Sequence, residues 1–206
     1  METHYTLYLA SQSLGRQELL REAQIPFSLI SQNTDESLCS LQQPLEIIVK
    51  ELALEKMNNI EYPSVPLNTI ALFLTADTLT LNSDNIIYCK PKDKQEAITM
   101  LKSARNGIIA GTAFCLTKKQ YTPQGWIMLA QIIAYDQTKS IINVPDELIE
   151  CYLSNIPFLT ISSGLSIEGF GEQFCQEVHG CYSTVLGLPM FKVRQALFQL
   201  GFYKLS

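Results

Sequence analysis

The sequence predicts one α/β domain, because stretches of strand character and of helix character alternate from one end of the chain to the other. The 206 residues are 47% hydrophobic and 17% charged, a composition that supports one sizeable core and excludes a disordered chain. No repeat and no linker interrupts this pattern. We therefore expect residues 1–206 to form a single domain, in which long hairpins can form a second lobe.

The predicted strands are apolar or β-branched runs bounded by turn residues. They are Tyr5–Ala10, Phe27–Ile30, Thr69–Ala76, Thr78–Leu81, Ile86–Cys89, Ile108–Leu116, Trp126–Tyr135 and Phe174–Val178. The turn at residues 82–85 joins two of them as a hairpin, and the loop around residues 123–125 joins the two longest.

The predicted helices show apolar residues at helical spacing or clear start signals. They are Ser13–Ala23, Pro44–Asn59, Asp93–Ala104, Pro145–Leu153 and Met190–Leu200. In the second helix Leu45, Ile48, Val49 and Leu52 follow the i, i+3, i+4, i+7 pattern. Asp93 with Glu96 three residues later is typical of a capping box.

Charge and cysteine content narrow the class of protein. A net charge of −5 argues against a broad nucleic-acid or membrane-binding face. The six cysteines form no C-x-x-C pair, so we expect reduced, mostly buried thiols in a cytoplasmic protein. No signal peptide or transmembrane stretch is evident. With two histidines, a multi-histidine metal site is not expected, and any metal should be a hard cation bound by carboxylates and substrate phosphates.

The stretch LASQSLGRQELL, residues 9–20, brings a buried strand to the start of a helix. A helix N-terminus offers free N–H groups and the positive end of a dipole, which suit a phosphate. Ser13 can cap this helix, Gly15 allows close approach to the backbone, and Arg16 adds a charged fork. The alternative is a plain N-cap with a solvated arginine.

A second group of charged residues lies near the apolar segments. Asp77 follows the strand Thr69–Ala76, where a carboxylate is costly to bury unless it is paired, binds a metal or faces a cleft. The alternative is a cap on the next turn. Lys56 lies on the inward face of its helix, although it can also extend to water at the helix end. Lys90 before a proline, and Asp35-Glu36 in a polar loop, are by themselves ordinary solvated charges.

Taken together, these segments resemble the Maf family of nucleoside triphosphate pyrophosphatases. The resemblance runs nearly the whole chain, through LASQSLGRQELL, the pair Asp35-Glu36, LALEKM, TADTLTL, CKPKDKQEAITML, SIEGFG and VHGCYSTVLGLP. It implies a mixed central sheet flanked by helices and a deep cleft between two lobes. It also implies a homodimer and hydrolysis of nucleoside triphosphates to the monophosphate and pyrophosphate with Mg²⁺ or Mn²⁺.

The resemblance also implies roles for particular positions. Ser13, Arg16, Lys56, Asp77 and Lys90 match the family's phosphate-binding and catalytic set. Asp77 would be a metal ligand or the general base for the attacking water. The carboxylate of Glu36 matches one in the family's cleft and is a second candidate metal ligand.

Three positions depart from the family pattern. Gly15 replaces an arginine, Ile161 replaces a lysine, and Glu168 replaces a glutamine in the substrate-binding segment. Loss of one preorganised cation typically lowers a rate by about 10²–10³. Two hypotheses therefore stay open: a pyrophosphatase with weakened or shifted activity, or a catalytically impaired nucleotide-binding protein with a regulatory role.

Overall fold

The structure, a computed structural model, describes residues 2–34 and 42–204. It has a mixed α/β fold with a seven-stranded sheet flanked by helices, which confirms the predicted fold class. The strands are β1 Thr6–Leu9, β2 Ser28–Leu29, β3 Ile70–Asn82, β4 Ile87–Tyr88, β5 Ile108–Thr122, β6 Gly125–Ile142 and β7 Cys175–His179. The helices are α1 Leu14–Glu22, α2 Leu45–Asn58, α3 Lys94–Ala104, α4 Ile149–Ser154, α5 Tyr182–Val185 and α6 Met190–Gln199. No helix in these ranges is long and apolar enough to cross a membrane.

The sheet is mixed, as the family resemblance implies. Its strands follow the order β2-β1-β3-β5-β6-β7, and β4 pairs with β3 outside this path. The strand β1 is parallel to both β2 and β3. The pairs β3–β4 and β6–β7 are antiparallel.

The chain forms two compact units, each of which combines separate segments of the sequence. The first comprises Met1–Asp77, Thr112–Tyr135 and Leu186–Ser206, and the second comprises Thr78–Gly111 and Asp136–Val185. The cleft that the family resemblance implies stays a prediction.

The first unit buries apolar residues on one face of its strands, as strand alternation requires. This core joins residues from β1, β3, β5, α1 and α6, together with the chain that flanks the two helices. They include Leu7, Leu9, Leu19, Leu20, Leu72, Leu74, Ala76, Phe114, Val193, Ala196 and Leu197. The opposite face of β3 carries Phe73, which stacks on Tyr8 with ring centroids 5.3 Å apart. Two layers therefore form around this part of the sheet.

In the second unit, the start of α3 confirms its predicted cap. The Asp93 side chain accepts a hydrogen bond from the Glu96 N–H at 2.8 Å. The Glu96 carboxylate in turn accepts one from the Lys92 N–H at 2.7 Å. The helix buries the four residues predicted for its inner face, Ala97, Met100, Leu101 and Ala104.

Strand β3 is longer than predicted. A strand that ends at Ala76, with Asp77 at its end or capping a turn, is wrong, because β3 continues through Asp77 to Asn82. Residues 78–81 keep a strand pattern with no turn residue among them, and Leu79 and Thr80 are buried. The strands β5 and β6 likewise extend beyond their predicted ends, through polar residues that a hydrophobicity pattern assigns to loops.

The expectation of mostly buried cysteines is wrong for the five cysteines that the structure describes. Only Cys115 is buried, whereas Cys89 and Cys151 are exposed and Cys175 and Cys181 are half-buried. Apolar neighbours place a residue on an element but not on its inner face, which explains the error. All five are free thiols, and Cys39 lies outside the described residues.

Tyr152 of α4 fixes the loop that follows in the second unit. Its side chain is fully buried. The hydroxyl donates to the Ser166 carbonyl oxygen at 2.9 Å and accepts from the Ser166 N–H at 2.9 Å. Burial raises the pKa of Tyr152 to about 12, since the ionised phenolate would lose its hydration.

Tyr152→Phe is expected to lower the free energy of unfolding by about 1–3 kcal/mol, because it leaves the partly buried N–H and carbonyl of Ser166 without their partner. Denaturant unfolding measures the change. Tyr62→Phe is the control, since Tyr62 is exposed, and should change the value by less than about 0.5 kcal/mol. Equal effects of the two variants would contradict this role of Tyr152.

Stability should also fall at alkaline pH through Tyr152. The pKa of this tyrosine is about 12 in the folded chain, above the value of about 10 for an unfolded one. The contribution of the buried phenol is therefore complete below about pH 10 and is lost as the pH rises through about 12. Unfolding curves across this range should show a steeper loss for the wild-type chain than for Tyr152→Phe. Parallel losses would contradict the assignment.

Candidate active site

A buried ion pair between Lys56 and Asp77 is the centre of the candidate site in the first unit. The Lys56 Nζ lies 2.5 Å from the Asp77 Oδ1, and each side chain is only 8% exposed. The interpretation in which Lys56 extends to water is therefore wrong. The carboxylate on β3 offers this lysine a partner that the sequence pattern of α2 alone does not reveal.

Local packing brings the two charges together. The Thr75 hydroxyl on β3 donates to the Ala53 carbonyl oxygen of α2 at 2.6 Å, and both residues are fully buried. Asp77 lies two residues beyond Thr75, on the same face of the strand, and Lys56 lies three residues beyond Ala53, on the same face of the helix. The Thr75–Ala53 contact thus fixes the distance across which the ion pair forms.

The burial of this pair is energetically demanding. Removing two charges from water costs desolvation free energy. Their mutual attraction exceeds this cost only if the geometry of the pair is good and further polar groups form hydrogen bonds to it. Asp77 is itself only 6% exposed, and the two residues before it in β3, Thr75 and Ala76, are 0% and 1% exposed. Groups held under this constraint are common where charge is used for chemistry.

The start of α1 carries the second part of the site. The Ser13 hydroxyl caps the helix by accepting from the Arg16 N–H at 3.4 Å, as predicted. The Arg16 Nε donates to the Gly187 carbonyl oxygen at 2.9 Å, and its Nη1 donates to the Ser11 hydroxyl at 3.3 Å. A solvated Arg16 is therefore wrong, because these bonds hold the guanidinium against the helix start.

The sheet register brings these two parts to the same edge of the first unit. Leu9 of β1 pairs with Leu74 of the parallel strand β3, and the Ala10 N–H donates to the Leu74 carbonyl oxygen at 2.9 Å. The helix start at Ser13 and the carboxylate of Asp77 both follow this last paired position by a few residues. The carboxyl ends of parallel strands are where α/β proteins bind ligands.

Gly15 approaches the chain itself closely. A Cβ at this position would lie 3.1 Å from the Leu186 carbonyl oxygen, closer than most real contacts of this kind. An arginine here, as in the family pattern, would require the segment at Leu186 to shift. The neighbouring Arg16 is the cation that this helix start presents.

The second unit carries the remaining candidates that the structure describes. Lys90 is exposed in a turn whose preceding residue, Cys89, accepts a hydrogen bond from the Ser163 N–H at 2.8 Å. Glu168 is exposed, and its backbone N–H donates to the Ser166 hydroxyl at 3.3 Å. Glu36 and its neighbour Asp35 lie outside the described residues.

The loop near Ile161, which departs from the family pattern, has a strained backbone at Ser163 and hydrogen bonds that hold this residue. Ser163 has a φ of 56°, in the left-handed region that favours glycine. Its hydroxyl donates to the Ser162 carbonyl oxygen at 2.6 Å and lies 3.3 Å from the Thr80 hydroxyl. These bonds offset part of the strain of the left-handed backbone.

Arg105 already makes hydrogen bonds elsewhere, so it is not available to replace the cation that is lost at Gly15 or Ile161. Its Nη2 donates to the Val144 carbonyl oxygen and to the Asp146 carboxylate, each at 2.5 Å. Lys102 contacts the other oxygen of the same carboxylate at 3.0 Å. The hydrogen bond from Arg105, followed by that from Lys102, holds the pKa of Asp146 below its usual range.

Sequence reasoning missed several residues of the first unit. Thr75 and Ser11 position the ion pair and the arginine, and Gly187 supplies the acceptor for Arg16 from a distant part of the chain. Ser11 could have been predicted from the sequence, because it is a hydroxyl residue two positions before the helix cap Ser13. Pairing at a separation of 171 residues, as between Arg16 and Gly187, leaves no local signal.

Comparison with known proteins finds one family and relatives that are named as pyrophosphatases. Residues 6–200 match the sequence model of a family described as Maf-like protein. A dTTP/UTP pyrophosphatase of Clostridium beijerinckii is 33% identical over 189 residues, covering 90% of this chain and 94% of that protein. A nucleoside triphosphate pyrophosphatase of Trichodesmium erythraeum is 31% identical over 205 residues, covering 96% and 95% of the two chains. One from Orientia tsutsugamushi is 32% identical over 208 residues, covering 95% and 92%.

Lys56→Met should lower the free energy of unfolding by about 3–5 kcal/mol, because it leaves the buried Asp77 carboxylate without its cation. The double variant Lys56→Met/Asp77→Leu should regain most of this loss, since it removes both charges. Lys50→Met, in an exposed pair on the same helix, is the control and should cost less than about 1 kcal/mol. Denaturant unfolding measures all three, and equal costs for the two lysines would contradict the energetic role of the pair.

Proposed function

We propose that this chain, which belongs to the Maf-like protein family, hydrolyses nucleoside triphosphates to the monophosphate and pyrophosphate. The observation that carries the proposal is the buried Lys56–Asp77 pair, at the edge where β1 leads into the start of α1. Relatives that this chain matches over most of both lengths are named as nucleoside triphosphate or dTTP/UTP pyrophosphatases. We take residues 1–206 as a single Maf-like domain.

The start of α1 is proposed to bind the phosphates. Its free N–H groups and dipole favour an anion, and the Ser13 cap and Arg16 add polar contacts. The bonds from Arg16 to Gly187 and Ser11 hold the guanidinium in place before substrate arrives. A preorganised cation stabilises phosphate charge without reorganising during the reaction.

Asp77 is proposed to act on the attacking water, and Lys56 to hold Asp77 and stabilise charge on the phosphate. Water attacks the α-phosphorus, the bond to the β-phosphate oxygen breaks, and pyrophosphate leaves. Negative charge then develops on the equatorial and leaving oxygens. The ion pair with Lys56, at 2.5 Å, holds the Asp77 carboxylate in a fixed position.

Lys90 and Glu168 of the second unit are proposed to bind the substrate. Lys90 presents an exposed ammonium from the turn that Ser163 holds through the Cys89 carbonyl. Glu168 follows the loop that Tyr152 fixes at Ser166. A carboxylate in place of the family's glutamine adds a negative charge, which favours either a cation or an amino group of the ligand.

A divalent cation, Mg²⁺ or Mn²⁺, is proposed as the cofactor. Within residues 2–34 and 42–204, no three His, Cys, Asp or Glu side chains cluster as a metal site. The donor set fits a hard cation that arrives with its substrate, because Mg²⁺ is commonly held by one or two carboxylates together with phosphates. Asp77 and Glu36 would hold it, and the cation would neutralise charge on the triphosphate.

A homodimer in the cytoplasm is part of the proposal. Three consecutive residues of β6, Ile127, Met128 and Leu129, are 45–60% exposed and offer apolar surface to a second copy. The five free cysteines suit a reducing compartment.

A second candidate function is nucleotide binding without turnover. The tight contact of Gly15 with Leu186 and the apolar Ile161 both favour it, because each position lacks the cation of the family pattern. If the chain binds nucleotides but releases no pyrophosphate from any of them, the result would support nucleotide binding without turnover over hydrolysis.

Asp77→Asn is expected to lower pyrophosphate release by at least about 10²-fold, because the amide cannot take a proton from water or balance a cation as the carboxylate does. The wild-type chain and the variant are incubated with canonical and modified nucleoside triphosphates plus Mg²⁺ or Mn²⁺, and pyrophosphate is measured. Asp84→Asn, at an exposed turn, is the control and should keep wild-type rates. A folded Asp77→Asn with wild-type turnover would refute the assignment.

A further inference from the structure

A loop of the second unit holds the backbone on the N-terminal side of Lys90. The Ser163 N–H donates to the carbonyl oxygen of Cys89, the residue before Lys90, at 2.8 Å. The Ser162 hydroxyl lies 3.5 Å from the carbonyl oxygen of Tyr88, one residue earlier. Two successive residues of the loop thus contact two successive residues of the segment that leads to Lys90.

The next residue of the loop, Gly164, contacts the chain on the other side of Lys90. It packs against Pro91, which is buried. A Cβ on Gly164 would lie 3.0 Å from the Pro91 Cγ and 3.4 Å from the Phe158 carbonyl oxygen, so the two chains approach each other closely. A proline has a fixed φ, which limits its freedom to move away from such a contact. Ser163 and Gly164 together therefore hold both neighbours of Lys90.

The backbone conformation of the loop is what allows these contacts. Ser163 and Gly164 are both left-handed, with φ angles of 56° and 62°. This conformation suits glycine but is strained for a residue with a Cβ. Ser163 is only 2% exposed, and its hydroxyl donates to the Ser162 carbonyl oxygen at 2.6 Å and lies 3.3 Å from the Thr80 hydroxyl. A buried residue that its surroundings keep in a strained conformation is typical of functional sites.

A fixed backbone matters for Lys90 because its ammonium lies at the end of a flexible four-carbon chain. Placing this ammonium on a phosphate restricts the side-chain rotamers, which costs conformational entropy. When the backbone is held on both sides, the origin of the side chain is already fixed, and less freedom is lost as the substrate binds. The loop can thus favour binding without contacting the phosphates.

We propose that the pair Ser163-Gly164 positions Lys90 for the triphosphate, and that Ser163 is a positioning residue that acts on substrate affinity through Lys90. The inference rests on the proposed function, in which Lys90 binds the substrate. Since Ser163 and Gly164 act through the ammonium of Lys90, their effect on affinity should disappear when this ammonium is removed.

Isothermal titration with the α,β-methylene analogue of uridine triphosphate and Mg²⁺ measures affinity without turnover. Lys90→Met should raise the Kd at least about tenfold, through the loss of one hydrogen bond to a charged group. Ser163→Val should raise it about as much, because a β-branched residue disfavours a φ near 56°. Ser163→Gly adopts this conformation freely and should bind within about twofold of the wild-type chain. Both Ser163 variants lose the hydroxyl, so the difference between them reports the backbone conformation.

The double variant Lys90→Met/Ser163→Val separates positioning from a general loss of structure. It should bind no more weakly than Lys90→Met alone, whereas a structural defect would weaken binding in both backgrounds. Gly164→Ala, whose Cβ would press on Pro91, should behave as Ser163→Val does and gives the same comparison if the valine variant does not fold. Ser154→Val, at an exposed position in α4, is the matched control and should keep the wild-type Kd.

Wild-type affinity in folded Ser163→Val and Gly164→Ala, or an equal loss of affinity in the Lys90→Met background, would overturn the inference while leaving the pyrophosphatase proposal intact. An unchanged Kd for Lys90→Met would overturn it as well, by removing Lys90 from the substrate site. Failure of the wild-type chain to bind the analogue would instead overturn the proposed function and, with it, this inference.

Discussion

The requirement to bury Lys56 and Asp77 together is the constraint on which the rest of the site depends. Neither charge is stable alone in a layer where its neighbours on β3 and α2 are fully excluded from water. The strand must therefore present Asp77 to the helix, and the helix must present Lys56 to the strand. The Thr75–Ala53 hydrogen bond sets their spacing one turn earlier. A buried ion pair is thus held at the edge where β1 ends.

The start of α1 lies at the same edge of the first unit. Parallel pairing of β1 with β3 brings the helix N-terminus and the charge pair to this edge. The remote carbonyl of Gly187 then fixes Arg16 against that N-terminus. The positive end of a helix, a fixed guanidinium and a buried carboxylate are complementary to a polyphosphate with its cation. The departure at Gly15 removes one positive charge from this helix start, where Arg16 remains.

Much of the fold was predictable because local patterns decide it. The i, i+3, i+4, i+7 residues of α2 and the capping pair of α3 gave these helices correctly. The continuation of β3 through Asp77 was not predicted. A charged residue after an apolar run indicates the end of a buried strand unless the partner that neutralises its charge is known. That partner, Lys56, is 21 residues away.

A crystal structure of the protein with a non-hydrolysable nucleoside triphosphate and Mg²⁺ would show whether the phosphates bind at the Lys56–Asp77 pair. We expect the α-phosphate in contact with Lys56 and next to Asp77, and the remaining phosphates on the N–H groups at the start of α1. A triphosphate bound elsewhere, with the Lys56–Asp77 pair unchanged and out of contact with any phosphate oxygen, would contradict it.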